Sequence, residues 1–216
     1  MPFFLPHIQN NFPDVELADE DGLLAFGSNL AMETLLKAYK KGIFPWYNEN
    51  EPICWYSPNP RFVLFPHKLR ISSSMKTIIR NKAYQFYVDN DFADVIKNCR
   101  MAKRKGESGT WITDEIEKAY FTLFQSGYAH SAEAWYNKEL AGGLYGVQLG
   151  KVFFGESMFA NQSNASKFAF IKYVQLLREN GVEIIDCQVY TPHLESLGAE
   201  FISRKDFTNL LNRLII

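Results

Sequence analysis

The stretch from His130 to Phe159 constrains this chain most. Alternating segments are cut by Asn137-Lys-Glu139 and by Gly150-Lys151. A period of two marks strands, and turn residues between such runs mark tight hairpins. Three antiparallel strands are therefore expected. On the third, residues two apart share a face, which sets Glu156 beside Phe154 and Met158. A carboxylate among apolar groups is costly to bury unless something cationic meets it. The meander is thus expected to form the floor of a site.

The flanking sequence supplies helices and further strands. Met32–Lys41 is predicted helical, with Gly42 where a C-cap belongs. Further helices are expected behind Ser72, behind Asn90-Asp91, from Thr113 to Gly127, from Asn164 to Gly181 and behind Ser203. Strands are expected at Phe62–Phe65, Tyr84–Val88 and Val182–Val189, with Gly22–Ser28 a short strand or packed loop. Residues 1–20 read as an extended lead-in. Prolines 45, 52, 58 and 60 predict a rigid, extended segment without regular structure. They place a boundary between a small N-terminal domain (1–62) and a larger one (63–216). A meander, a helix and a further strand suggest an α/β (α+β) domain of acyltransferase type, with a mixed, mostly antiparallel sheet.

At 216 residues the chain suffices for one large domain or one plus a small one. A net charge of −1 excludes coating nucleic acid through charge alone, so any such contact needs a local patch. The densest basic run is Lys97, Arg100, Lys103, Arg104 and Lys105. A solvated helix end, favoured by the helix dipole, competes there with a phosphate-binding patch. The 3 cysteines form no CxxC pair and the 4 histidines are scattered, so no metal site is expected. No run of 18 apolar residues and no signal peptide is visible, which points to a reducing cytoplasm.

Two constellations suggest chemistry. Asp186 and Gln188 lie two apart on one predicted strand, so both point to one face. A buried Asp can orient and polarise a neighbouring amide, or the two can be a satisfied polar pair. Trp46, Tyr47, Trp55 and Tyr56 on a proline-stiffened segment could wall a planar ligand or plug a domain seam. Cys187, mid-strand in an apolar run, reads as an inert core thiol. Ser157 lacks the glycines of a nucleophile elbow, and Gly146–Val152 is a hairpin turn rather than a phosphate loop.

Ten segments in order carry a resemblance. They are Gly22-Leu-Leu-Ala25, Leu35-Leu-Lys-Ala-Tyr-Lys-Lys-Gly-Ile-Phe-Pro-Trp46, Trp55-Tyr-Ser-Pro-Asn-Pro-Arg61, Gly109-Thr-Trp-Ile112 and Ala129-His-Ser-Ala-Glu-Ala-Trp135. The others are Gly142-Gly-Leu-Tyr-Gly146, Phe154-Gly-Glu-Ser-Met-Phe159, Asn164-Ala-Ser-Lys167, Ile185-Asp-Cys-Gln188 and Ser196-Leu-Gly-Ala199. Together the sequence resembles the leucyl/phenylalanyl-tRNA–protein transferase family. That resemblance implies a C-terminal domain similar to N-acetyltransferases. It also implies transfer of Leu or Phe (with Met a third donor) from aminoacyl-tRNA to the α-amine of proteins beginning with Arg or Lys. Such products resemble proteins marked for N-terminal-dependent degradation. No cofactor is implied, and the partners are aminoacyl-tRNA and a protein or peptide, with no membrane and a monomer.

By the same resemblance Asp186 polarises Gln188, which draws the proton from the amine, and Glu156 faces the amine or the cationic acceptor. An amide is weakly basic, so orientation by Gln188, with ribose hydroxyl or water taking the proton, stands beside that role. Leu144, Phe153, Met158 and Tyr173 are expected to form the aminoacyl pocket. Trp46 and Trp111 are expected to stack on the terminal adenosine. The basic run becomes an acceptor-stem contact. The chain departs from the pattern at Gly27-Ser-Asn-Leu-Ala31, which weakens the cap of the first helix, and at Tyr56 and Tyr173. Two other classes compete with this reading. A coenzyme A acyltransferase needs a pyrophosphate loop that is missing. A non-catalytic tRNA-binding module leaves Asp186, Gln188 and Glu156 without a role.

Overall fold

The three central strands form as their alternation predicts. A computed structural model describes residues 2–7, 11–102 and 110–215. In chain order its elements begin with β1 (Phe3–Leu5), β2 (Leu23–Gly27), α1 (Met32–Lys40), β3 (Phe44–Pro45), β4 (Cys54–Tyr56) and β5 (Arg61–Leu64). Next come α2 (Ser73–Arg80), β6 (Gln85–Val88), α3 (Phe92–Met101), α4 (Asp114–Gln125), β7 (Ala129–Tyr136), β8 (Glu139–Leu149) and β9 (Val152–Ala160). The last are α5 (Ala165–Glu179), β10 (Ile184–Gln188), α6 (Pro192–Ser196), β11 (Glu200–Ile202) and α7 (Arg204–Leu214). Asn137 and Lys138 turn the β7–β8 hairpin with φ of +50° and +67°, the left-handed pair that a two-residue turn needs.

Seven strands make one sheet in the order β11-β5-β10-β9-β8-β7-β6. Only β9 and β10 run parallel; the other neighbours are antiparallel. This is the expected mixed, mostly antiparallel sheet of an α/β chain. One face packs on α5 and α2, with Leu144, Phe153, Phe168, Ile171 and Ile185 between. The other carries α1, α3, α4 and α7 over Val95, Ile116, Val147, Phe154 and Phe207. That second cluster also takes in Leu24, Phe44 and Trp55 of the small sheet, ordered β1-β2-β4-β3.

Several local expectations need correction. The prolines do not abolish strands: β3 and β4 pair through Phe44↔Tyr56 and Pro45↔Trp55. Pro45 is tolerated because β3 is the sheet's edge, where a missing N–H costs no ladder bond. Part of the lead-in is also a strand, since β1 pairs with β2. Between β10 and the helix behind Ser203 the chain adds two elements for which no expectation was made, α6 and β11. At α1 the N-cap Ala31 offers no side-chain bond, but Asn29 Oδ1 accepts from the Ala31 N–H (2.9 Å) and the Thr34 hydroxyl (3.0 Å). The cap is thereby displaced two residues upstream.

Candidate active site

The site opens where two parallel strands part. The β9–β10 register runs Ile184↔Val152, Ile185↔Phe153, Asp186↔Phe154 and stops. Two residues further on, Glu156 and Gln188 face each other across the gap. Gln188 Nε2 donates to Glu156 Oε1 at 2.9 Å.

Both strands are irregular at this point. On β9 the pairing with β8 slips between Tyr145 and Gly146, so that Glu156 falls between the pairs Tyr145↔Ser157 and Gly146↔Gly155. Gly146 is obligatory, because a Cβ there would stand 2.2 Å from the Phe154 carbonyl oxygen. The bulge overturns the expectation that Glu156, Phe154 and Met158 share a face. Phe154 packs in the cluster on the α1 side and Met158 against the one on the α5 side. A one-residue slip reverses every later side chain. On β10, Gln188 lies in the left-handed region (φ +62°) and the pairing with β5 slips. Strain of this kind in a non-glycine residue persists only where surrounding contacts hold it.

Arg61 and Asp186 supply that hold. Arg61 Nε donates to Asp186 Oδ1 at 2.8 Å and its Nη2 to Oδ2 at 2.6 Å, with side chains 1% and 0% exposed. The guanidinium lies between the rings of Phe44 (4.7 Å) and Phe207 (4.8 Å). Asp186 Oδ1 also accepts the Gln188 backbone N–H at 2.9 Å. Asp186 therefore grips the main chain of Gln188, whereas the side-chain amide is held by Glu156. Because Nε2 is committed, the Gln188 oxygen remains for a donor in the cleft.

The cation expected to meet Glu156 meets Asp186 instead, and phenols meet Glu156. Tyr39 donates to Oε1 and Tyr120 to Oε2, each at 2.8 Å, and the two hydroxyls also touch each other. Burial raises the Glu156 pKa to about 7, opposed by the two tyrosine bonds. Burial, then the Glu156 charge, pushes both phenols well above their ordinary value.

Glu156, Asp186 and Gln188 form one wall of a cavity of about 460 Å³, with Tyr39, Tyr120 and Arg61 behind them. Trp46, Trp111, Leu144, Met158, Asp186, Gln188 and Glu156 all line it, as do Phe44, Phe170 and His193, which the sequence did not single out. Trp46 stands 42% exposed at its edge. Phe153 and Tyr173 do not line the cavity. They are buried behind it, edge to face at 5.1 Å, and burial raises the Tyr173 pKa. Cys187, expected in the core, is instead half-buried and lines the same cavity, and burial raises its thiol pKa. Of the basic run, Lys97 is exposed. Arg100 is engaged with Asp114 and with Glu117 (3.2 Å), and residues 103–105 lie outside the described residues. Arg61, Tyr39 and Tyr120 escaped the sequence reading. A buried phenol needs a partner for its hydroxyl, and that rule was the available signal.

An apolar cavity walled by a half-buried carboxylate and an oriented amide can hold an apolar group beside an amine, as an aminoacyl-transferring enzyme requires. Comparison with known proteins sharpens this. Residues 63–212 match the family described as leucyl/phenylalanyl-tRNA protein transferase, and residues 28–59 match its N-terminal domain. A leucyl/phenylalanyl-tRNA–protein transferase from Christiangramia forsetii is 53% identical over 94% of this chain and 97% of its own. One from Syntrophobacter fumaroxidans is 50% identical over 98% and 90%. Among solved structures, a GCN5-related N-acetyltransferase from Kribbella flavida aligns with TM-score 0.40 and 8% identity, over 78% of this chain and 60% of that one. The chain belongs to the leucyl/phenylalanyl-tRNA–protein transferase family.

Proposed function

We propose that this protein moves Leu or Phe from aminoacyl-tRNA to the α-amine of proteins that begin with Arg or Lys. The observation that carries the proposal is the junction of an apolar cavity with the Glu156–Gln188 pair at the parting of β9 and β10. The aminoacyl side chain packs against Leu144, Met158 and Phe170. Phe153 and Tyr173 support that wall from behind. Trp46 and Trp111 stack on the terminal adenosine, which suits an unpaired CCA end. The ester is already activated, so positioning dominates the chemistry. The Gln188 oxygen accepts from the amine and aims its lone pair at the carbonyl carbon. Asp186 and Arg61 hold Gln188 in its strained conformation. The carboxylate of Glu156 attracts the positive charge of the acceptor end.

Lys97, with residues 103–105 beyond it, contacts acceptor-stem phosphates without reading sequence. The enzyme acts as a monomer in the cytoplasm, on substrates destined for N-terminal-dependent degradation. Among the described residues, no helix is long and apolar enough to cross a membrane. The chain divides near residue 62 into a small domain that brings Trp46 to the cavity and a large one that carries Glu156 and Gln188.

The test offers phenylalanyl-tRNA, and separately acetyl-CoA, to peptides that begin with Arg, Lys or Ala. Phenylalanyl transfer to the first two alone is expected, and it should vanish in Asp186→Ala. Acetyl transfer, or tRNA binding without transfer, would overturn the assignment.

A further inference from the structure

Resting on the reading above, we infer that Glu156 takes the proton released by the attacking amine, and that Tyr39 and Tyr120 bond its carboxyl both before and after the proton arrives, closing a ring of three hydrogen bonds in the neutral form. The count of protons carries the argument. Three contacts join the three side chains: Tyr39 with Oε1, Tyr120 with Oε2, and the two hydroxyls with each other. Two phenols own two O–H protons. With Glu156 ionised, both point at the carboxylate and none serves the contact between the hydroxyls. One more proton completes the set: Glu156 donates to Tyr120, Tyr120 to Tyr39, and Tyr39 back to Oε1. The same atoms thus accommodate the ionised and the neutral carboxyl without moving.

The cleft side of the ring is open to substrate. Oε1 already accepts from Tyr39 and from Gln188 Nε2, whereas Oε2 accepts from Tyr120, and its second lone-pair direction faces the cleft. Glu156 is half-buried and lines the cavity. The groups that face it are Tyr39 from α1, Tyr120 from α4, Gln188 and Asp186 from β10, and Arg61 from β5; Tyr145 of β8 stands beside both phenols. Burial and the Asp186 charge disfavour the ionised carboxylate, while the phenols and Arg61 favour it. An acceptor poised near neutrality matches an α-amine, whose usual pKa is about 7.7–8.0. Gln188, an amide, cannot serve in this way.

The step balances. The amine nitrogen attacks the ester carbon, an N–C bond forms, and the carbonyl electrons move onto its oxygen. The proton leaves nitrogen for the cleft-facing lone pair of Glu156 Oε2; turning of that O–H toward Tyr120, and of the Tyr120 O–H toward Tyr39, closes the ring, and the reverse turns free the proton again. Collapse of the intermediate breaks the bond from carbon to the ribose 3′-oxygen. That oxygen departs with the proton returned by Glu156, so the amine loses one proton and the tRNA hydroxyl gains it. Tyr39 and Tyr120 are positioning residues, since both are fully buried.

The test is the pH dependence of kcat for phenylalanyl transfer from charged tRNA to a saturating Arg-initial peptide. The active form carries an ionised Glu156, so the rate falls as pH drops through the pKa of this group. Tyr39→Phe and Tyr120→Phe each remove a donor to the ionised form, which raises that pKa. Each variant should move the acid limb up by about 1 pH unit. They should lag most at low pH and recover as pH rises. Glu156→Gln keeps the shape but accepts no proton; kcat should fall at least about 100-fold and this limb should disappear. A limb that stays put or moves down in both Phe variants would overturn the inference, as would its survival in Glu156→Gln. A second readout is independent of turnover: the infrared band of protonated Glu156, taken as wild type minus Glu156→Gln, should titrate near neutral pH. Titration in the ordinary carboxylate range would also overturn it. A wild-type protein that transfers nothing at any pH would instead remove the transferase reading.

Discussion

Replacing Arg61 with methionine tests how the site is held. Arg61 makes two charge-assisted bonds to Asp186, of 2.8 and 2.6 Å, and neither side chain reaches water. Removing one member of such a pair leaves a buried charge unmatched and costs about 3–5 kcal/mol. For a chain of this length each kcal/mol lowers Tm by roughly 2–4 °C, so a fall of about 10 °C is expected. Methionine keeps much of the packing between Phe44 and Phe207, which isolates the electrostatic part. Transfer activity should fall too, because Asp186 also accepts the Gln188 N–H. Combining Arg61→Met with Asp186→Asn removes both charges and retains an acceptor for that N–H. The double variant should regain all but about 1–2 kcal/mol of stability in urea titrations. The reasoning is refuted if Arg61→Met costs under about 1 kcal/mol, the worth of an exposed ion pair. It is also refuted if the double variant loses the sum of the two single losses.

Other perturbations probe the cavity wall. Trp111→Ala should raise KM for phenylalanyl-tRNA by about 10-fold or more, the worth of a stacked base, and leave KM for the peptide near wild type. Equal loss for both substrates would make Trp111 merely structural. Met158→Ala enlarges the pocket, so kcat/KM for leucyl relative to phenylalanyl donors should fall by about 10-fold in competition assays. An unchanged ratio would place the aminoacyl side chain elsewhere. Gly146→Ala should destabilise the protein by at least about 2 kcal/mol, since the new methyl meets the Phe154 carbonyl at 2.2 Å. A neutral effect in thermal melts would show that the bulge relaxes.

Much of this was legible because local chemistry and tertiary structure agree. Asn137-Lys138 turns a hairpin, and Thr113, Ser72 and Ser203 cap helices with their own hydroxyls. Trp46, Leu144 and Met158 could be placed at the cavity by resemblance, whereas strand period fails between Asp186 and Gln188, where the left-handed backbone of Gln188 breaks the register of β10. What escaped depends on contacts between distant segments. Arg61 and Asp186 are 125 positions apart, and Tyr39 lies 117 positions from Glu156. Tyr39 falls in register with the apolar positions of α1, since its ring is buried like a leucine and only its hydroxyl tells. The bulge at Glu156 was invisible for another reason. Alternation predicts faces only while register is kept, and no local residue type announces a slip at Gly146, where Phe153 and Phe154 leave no room for a side chain. Phe153 and Tyr173 were placed in the pocket for want of depth: both belong to its wall, one layer behind the surface.

The most direct test of the central claim is a complex with adenosine that carries phenylalanine through a 3′-amide in place of the ester. The predicted result places the phenylalanyl ring against Leu144 and Met158, and the adenine against Trp46 or Trp111. The α-carbonyl then lies within reach of a nucleophile bound at Gln188 and Glu156. Binding in the separate groove between Phe65 and Leu214, with the cleft between β9 and β10 left free, would contradict it.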